Sequence, residues 1–354
     1  MSKEMKVLFL TKRRGSYGYL SSGLFNSVRF IVDMLNSMGI EAKMVDCVDA
    51  NSIDKEVHDY RPTHVIIEAF WCVPSKFEVL KKLHPRVKWV VRDHSDFPFM
   101  ETEGMAIEWM FEYLKYGVTI AANKYETAKE LGRVLGKPVA YLPNYYPVTR
   151  RTTSMPQNRG EIHIGCFGAI RPLKNQLLQA IAAIRFAETH GKRLKFYINT
   201  GRVEACGDRI LKNIRALFRN TKHDLIELPW LKHHQFIHLL ESYIDMSMQV
   251  SFSETFNIVT GDAVNLDIPI VVSSEVFWAS PQCMTDPNDI EAIVKTMGNV
   301  LHNPPLVRQN KENLAREGER AKAAWIDFLT GRRRELTWTE CCLGWCFKRF
   351  RRVE

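Results

Sequence analysis

Short apolar runs recur along the first half of the chain, separated by stretches whose apolar positions fall every three or four residues. Val7-Leu8-Phe9-Leu10, Val65-Ile66-Ile67, Trp89-Val90-Val91 and Val118-Thr119-Ile120-Ala121 read as strands, and Ser22 to Met38 reads as a helix. Ser21 and Ser22 are capping residues for that helix, and Gly39 stands where a helix end favours a left-handed residue. Alternation of this kind predicts a parallel sheet with crossover helices.

Tyr141-Leu142-Pro143-Asn144 closes this half. Residues 147–160 then lack apolar periodicity and are rich in Pro, Ser, Thr, Asn and Gly, which marks a linker. Beyond it the same rhythm restarts. Strands are predicted at Ile162 to Phe167, Lys195 to Asn199, Leu225 to Leu228 and Met246 to Val250. Helices are predicted at Lys174 to Thr189, Asp208 to Phe218 and Gln235 to Ser242, with a long surface helix from Pro305 to Leu329. The expected fold class is α/β, with two Rossmann-like doubly wound domains facing across a cleft. The expected domains are residues 1–146 and 161–330, joined by the linker 147–160. A basic, aromatic tail, 331–354, is expected to pack back on the first domain.

The 354 residues are 45% apolar and 25% charged, an ordinary globular composition with room for two cores. A net charge of +9 points to a phosphate-bearing small substrate, nucleic acid or an anionic membrane surface, or to a merely basic soluble protein. The eight cysteines show no Cys-x-x-Cys pair, so reduced structural thiols are expected. Met1 to Met5 lacks the apolar core of a signal peptide, and no run approaches the roughly 18 apolar residues of a membrane span. A cytoplasmic protein is expected.

The candidate chemistry lies after the predicted strands, where open parallel sheets bind ligands. Thr11 to Gly23, which includes Gly18, joins the first strand to the first helix. Its glycines suit close approach of a ligand, although it matches neither the dinucleotide nor the P-loop pattern, and an ordinary loop fits it equally. At the equivalent place in the second half, Gly165 to Asn175 carries Gly168, Arg171 and Lys174, and two cations at a helix start would stabilise a departing diphosphate. A solvated basic turn is the alternative. Arg92-Asp93-His94 follows a strand of the first half, which favours a functional His94 over a structural one. Trp230 ends another strand, either near a nucleotide base or in the core. His233, His234 and His238 have no third ligand of the His-Glu-x-x-His type and read as a wet helix surface.

Glu254 and Asp262 are separated by seven residues. If a helix starts between them, two carboxylates about two turns apart can grip a ligand with hydroxyls at two places, such as a sugar nucleotide. Arg332-Arg333-Arg334 and Lys348-Arg349-Phe350-Arg351-Arg352 with Trp338 and Trp345 could dock on nucleic acid or an anionic membrane, or remain a solvated terminal segment.

From about residue 6 to residue 325 these pieces, taken in order, resemble a family-4-like glycosyltransferase of the two-Rossmann-domain (GT-B) type. The matching stretches are Ser21-Ser22-Gly23, Leu142-Pro143-Asn144, Phe167-Gly168 through Lys174-Asn175, and Ser253-Glu254 through Asp262-Ala263 followed by Ile268 to Val272. The resemblance implies that Glu254 contacts hydroxyls of the transferred sugar. Thr255, Phe256, Asn257 and Ile258 would present backbone amides to it, and Asp262 would hold the ribose. Lys174 would meet the donor diphosphate, and His94 would lie near the sugar.

Three departures stand out: Ala169 replaces an arginine, Asp262 is a shortened second acid, and Thr255 and Asn257 replace glycines. Either Arg171 then reaches back to the phosphates or that charge is lost. The implied reaction is a retaining front-face displacement that needs no metal and no cofactor beyond a nucleotide-sugar donor, expected to be a UDP-sugar. The acceptor reading is a hydroxymethylated base in DNA. A glycan or lipid-linked sugar at a membrane surface is an alternative, and a non-hydrolysing sugar-nucleotide epimerase or a silent binding module lies further off.

Overall fold

The computed structural model describes residues 5–13, 23–149 and 160–332. In the first half the elements run β1 (Lys6–Lys12), α1 (Gly23–Ser37), β2 (Glu41–Cys47), α2 (Ile53–Tyr60), β3 (His64–Glu68), α3 (Lys76–Leu83), β4 (Lys88–Asp93), α4 (Phe97–Met100), α5 (Ala106–Lys115), β5 (Thr119–Ala122), α6 (Tyr125–Leu135) and β6 (Ala140–Tyr141). The second half runs β7 (Glu161–Gly165), α7 (Gln176–Thr189), β8 (Arg193–Asn199), α8 (Gly207–Arg219), β9 (Asp224–Leu228), α9 (His233–Tyr243), β10 (Met246–Gln249), α10 (Ile258–Asn265), β11 (Ile270–Val272), α11 (Ile290–Leu301) and α12 (Pro304–Thr330).

Both sheets are parallel, ordered β2-β1-β3-β4-β5-β6 and β11-β10-β7-β8-β9. Each order reverses once, between β1 and β3 in the first and between β7 and β10 in the second. Such reversals leave a crevice beyond the strand ends. The first sheet is covered on both faces. Leu8, Leu10, Val65, Ile67 and Val91 pack with α2, α3, α5 and α6, while Val7, Phe9, Ile66 and Val90 pack with α1. The pleat sends neighbours to opposite faces, so a strand buried on both sides reads as an unbroken apolar run, which is why β1, β3 and β4 were visible in the sequence.

α12 departs from the expected surface helix. Leu306 and Leu314 belong to the core of the second half, whereas Trp325 and Leu329 belong to a core cluster of the first. At 27 residues the helix is about 40 Å long, enough to span both. Trp325 is fully buried; its ring lies 5.5 Å from that of Phe9, and its Nε1 donates to the Pro143 carbonyl at 2.9 Å. The Ser21 and Ser22 caps, Gly18, most of the linker and the tail from residue 333 lie outside the described residues.

Candidate active site

The crevice of the second sheet opens where the loops after β7 and β10 meet. The β7 loop turns at Gly168, whose φ of +117° is a left-handed conformation that favours glycine. Gly168 N–H donates to Asn199 Oδ1 at 3.1 Å. The chain then makes a tight turn through Pro172–Lys174 into α7. Glutamines of α7 satisfy the loop from below: Gln176 Nε2 donates to the Ala169 carbonyl at 2.9 Å, and Gln179 Nε2 to the Lys174 carbonyl at 2.7 Å. Gln179 Oε1 also accepts from Val250 N–H at 2.9 Å, which ties this loop to the one after β10. The result is a buried Lys174 whose ammonium pairs with the buried Glu254 carboxylate.

The β10 loop is held as firmly. Asn257, at φ +65°, caps α10 by accepting from Thr260 N–H at 2.9 Å and donates through Nδ2 to Gln249 Oε1 at 3.0 Å. Gln249 in turn donates to the Phe167 carbonyl at 2.8 Å. Phe256 is a core anchor; its carbonyl accepts from Trp278 Nε1 at 2.8 Å. Thr255 is half-buried, and Ile258 is a buried first residue of α10.

Because α10 starts only at Ile258, Glu254 lies in the preceding loop and Asp262 within the helix. A helix does start between the two acids, with Glu254 ahead of its mouth and Asp262 inside it, as the spacing allowed. Asp262 is buried, and its Oδ1 accepts from Tyr146 Oη and from His233 Nε2, each at 2.8 Å. Burial, reinforced by the Asp262 charge, pushes the Tyr146 phenol well above its ordinary range, so it remains a donor.

The wet-surface reading therefore fails for His233, while His234 and His238 are exposed as expected. The cause is position: His233 is the first residue of α9, and the chain leaving β9 turns it inward. Trp230 is half-buried rather than core, with the Arg202 guanidinium 5.3 Å from its ring.

The facing wall comes from the first half. His94 Nε2 bonds the buried Glu68 carboxylate, which also accepts from Arg92 Nη1 at 3.0 Å. Arg92 further donates to the Leu142 carbonyl at 2.8 Å and to Asn144 Oδ1 at 2.5 Å. Burial opposes ionisation of Glu68, yet Arg92 and His94 outweigh it and hold the carboxyl below the usual range. For His94, burial and the adjacent Arg92 outweigh Glu68, lowering its pKa and favouring the neutral ring. Asp93 differs: burial pushes its carboxyl well above the usual value, and its Oδ1 accepts only locally, from Ser95 N–H at 2.9 Å.

The two walls touch. Asn123 Nδ2 donates to Thr255 Oγ1 at 3.0 Å, and Thr255 Oγ1 donates to the His94 carbonyl at 3.3 Å. Lys124 bridges Asp96 at 2.5 Å and Glu275 at 2.9 Å. Arg171 stacks 4.6 Å from the Phe99 ring and pairs with Glu204 at 3.4 Å, and Arg202 grips the same carboxylate at 2.5 Å. The Arg171 guanidinium is thus held by Phe99 and Glu204, with its buried Nε left without a hydrogen-bond partner.

The structure brings His94, Lys174, Glu254, Thr255 and the α10 start to one cleft. Glu68, Asn123, Lys124, Tyr146 and His233 belong there too and were missed. Glu68 and Asn123 each follow an apolar strand run directly, a signal the sequence carried. Among the described residues, no group of three or more His, Cys, Asp or Glu side chains is placed to hold a metal ion, and no helix is long and apolar enough to cross a membrane.

Two parallel doubly wound sheets, each with its reversal at the shared cleft and a terminal helix running from one to the other, define the GT-B fold of glycosyltransferases. Among solved structures, the chain is similar to OtsA in its apo form (TM-score 0.67, 11% identity, 94% of this chain and 100% of that one covered). It is similar also to the sucrose-phosphate synthase of Thermosynechococcus elongatus (TM-score 0.67, 12% identity, 92% and 97% covered). A third likeness is to the lipopolysaccharide outer core galactosyltransferase WaaB (TM-score 0.58, 11% identity, 93% and 100% covered). At these identities the likeness is one of fold. No protein-family model matches the sequence, and no curated protein matches it.

Proposed function

We propose that this chain is a retaining glycosyltransferase that moves a sugar from a nucleoside-diphosphate donor, uridine-linked, to an acceptor hydroxyl. The observation that carries the reading is the Lys174–Glu254 pair at the reversal of the second sheet, beside the N-terminal end of α10. A donor separates the pair productively. Its diphosphate takes the ammonium, and its sugar hydroxyls donate to the carboxylate that the ammonium had neutralised. Charge that builds on the leaving diphosphate is then met by Lys174 and by backbone amides. The leaving phosphate oxygen can take the proton of the incoming hydroxyl, so no protein nucleophile is needed. A solved structure described as "Trehalose-6-phosphate from E. coli bound with UDP-2-fluoro glucose", similar at TM-score 0.63 and 11% identity, supports a nucleotide sugar as the ligand of this fold.

For the acceptor, the net charge of +9 supports DNA bearing a hydroxymethylated base. One observation favours a neutral glycan instead: Lys124, which donates to the Glu254 carbonyl at 3.3 Å, is outnumbered there by the two carboxylates it bridges, Asp96 and Glu275. The deciding experiment incubates a panel of nucleotide sugars with hydroxymethylated DNA and with glycans, and reads both products by mass and the new anomeric centre by NMR. Transfer with inversion removes the retaining mechanism. Rapid epimer formation with donor alone removes the transferase reading.

A further inference from the structure

The group that would meet the ribose is held by an arrangement that a carboxylate acting alone does not need. Asp262 Oδ1 is saturated by Tyr146 Oη and His233 Nε2. A carboxylate only accepts, so Nε2 of His233 carries the proton. On the other side of the ring, Arg29 Nη2 lies 3.4 Å from Nδ1. A guanidinium only donates, so Nδ1 presents its lone pair. Both neighbours select one neutral tautomer, and the T-shaped contact with Phe30, centroids 5.7 Å apart, fixes the ring plane. The Arg29 contact is long and exposed, and the His233 side chain keeps 15% of its surface open, whereas Asp262 keeps 2%.

We propose that His233 is the specificity-determining residue for the donor ribose: its Nδ1 accepts from a ribose hydroxyl in place of the long Arg29 contact. Asp262 and Tyr146 are positioning residues that hold the ring in that tautomer. The shortened acid at position 262 then has a physical account. A side chain one methylene shorter leaves room for an imidazole between carboxylate and ligand, and the pair reaches where a single longer acid would. Through Oδ1, Asp262 thus acts by way of His233. This inference rests on the nucleotide-sugar reading of the site.

The test titrates the full chain with the common ribonucleoside diphosphates and compares the tightest binder with its 2′,3′-dideoxy form by calorimetry. One lost hydrogen bond predicts that the wild type favours the ribose form by roughly tenfold. His233→Gln keeps an amide nitrogen near the Nε2 position, and so the brace to Asp262, but has no acceptor at Nδ1. It is expected to bind both forms alike, at the wild-type affinity for the dideoxy form. Asp262→Ala, which frees the ring, lowers the ratio in the same direction. A His233→Gln variant that still prefers ribose by the wild-type ratio overturns this inference and returns the contact to Asp262. Failure of the wild type to bind any nucleoside diphosphate overturns the proposed function itself, and this inference with it.

Discussion

Lys174 and Glu254 form a buried ion pair across the point where the strand order of the second sheet reverses. They are 80 residues apart in sequence and come from the loops after β7 and β10. Each is the other's means of being buried with a charge, because removing one leaves an uncompensated buried ion.

Lys174→Ala and Glu254→Ala should therefore each destabilise the chain by about 3 kcal/mol, measured by denaturant unfolding. The double variant Lys174→Ala/Glu254→Ala should lose much less than the sum. Each single variant should also reduce transfer by about 10²-fold or more. Additive stabilities would mean that the pair is not coupled, and unchanged turnover in both single variants would remove them from the site.

Trp325, with Leu329 in the same core cluster, ties the last long helix to the first half. Trp325→Ala should cost about 3–5 kcal/mol, because it empties a large buried site and strands the Pro143 carbonyl. Trp325→Phe keeps most of the packing and should cost clearly less. Thermal unfolding of the two variants checks the order.

Glu317, also on α12, gives a pH dependence. Burial pushes its carboxyl up to about 7 from an ordinary value of 4.5, more than Arg320 and Tyr141 lower it. The folded state thus holds a proton that the unfolded state releases between these values. Its contribution to stability is fully present below about pH 4.5 and falls as pH rises to about 7, by on the order of 3 kcal/mol. Glu317→Gln should flatten that part of the stability–pH curve and raise stability at pH 8. A wild-type curve that rises across this window would contradict the sign.

Gly201 stands where the loops after β8 and β9 touch; a Cβ there would lie 2.4 Å from the Trp230 backbone nitrogen. Gly201→Ala should displace the Trp230 loop, weakening nucleotide binding by several-fold while the far-UV circular dichroism stays that of the wild type. Unchanged nucleotide affinity would place Trp230 outside the donor site.

The alternation of apolar runs and helical patterns sufficed for two parallel sheets, because strands buried on both faces leave unbroken Val, Ile and Leu runs in the sequence. β2 escaped notice, since this edge strand buries only part of its pattern, and α12 read as a surface helix because its narrow buried stripe serves two cores in succession. Lys174, Glu254 and His94 were legible because each follows a strand, where chain direction alone puts a side chain at the cleft. Which group pairs with which was not. Glu68 under His94, Asn123 against Thr255, and His233 with Tyr146 on Asp262 all join residues distant in sequence, and such hydrogen bonds leave no periodicity behind. Sequence determined the elements and the strand ends from which chemistry is presented. Tertiary structure alone decided the partners, because burial of a polar group selects whichever distant donor or acceptor the packed backbone brings within reach.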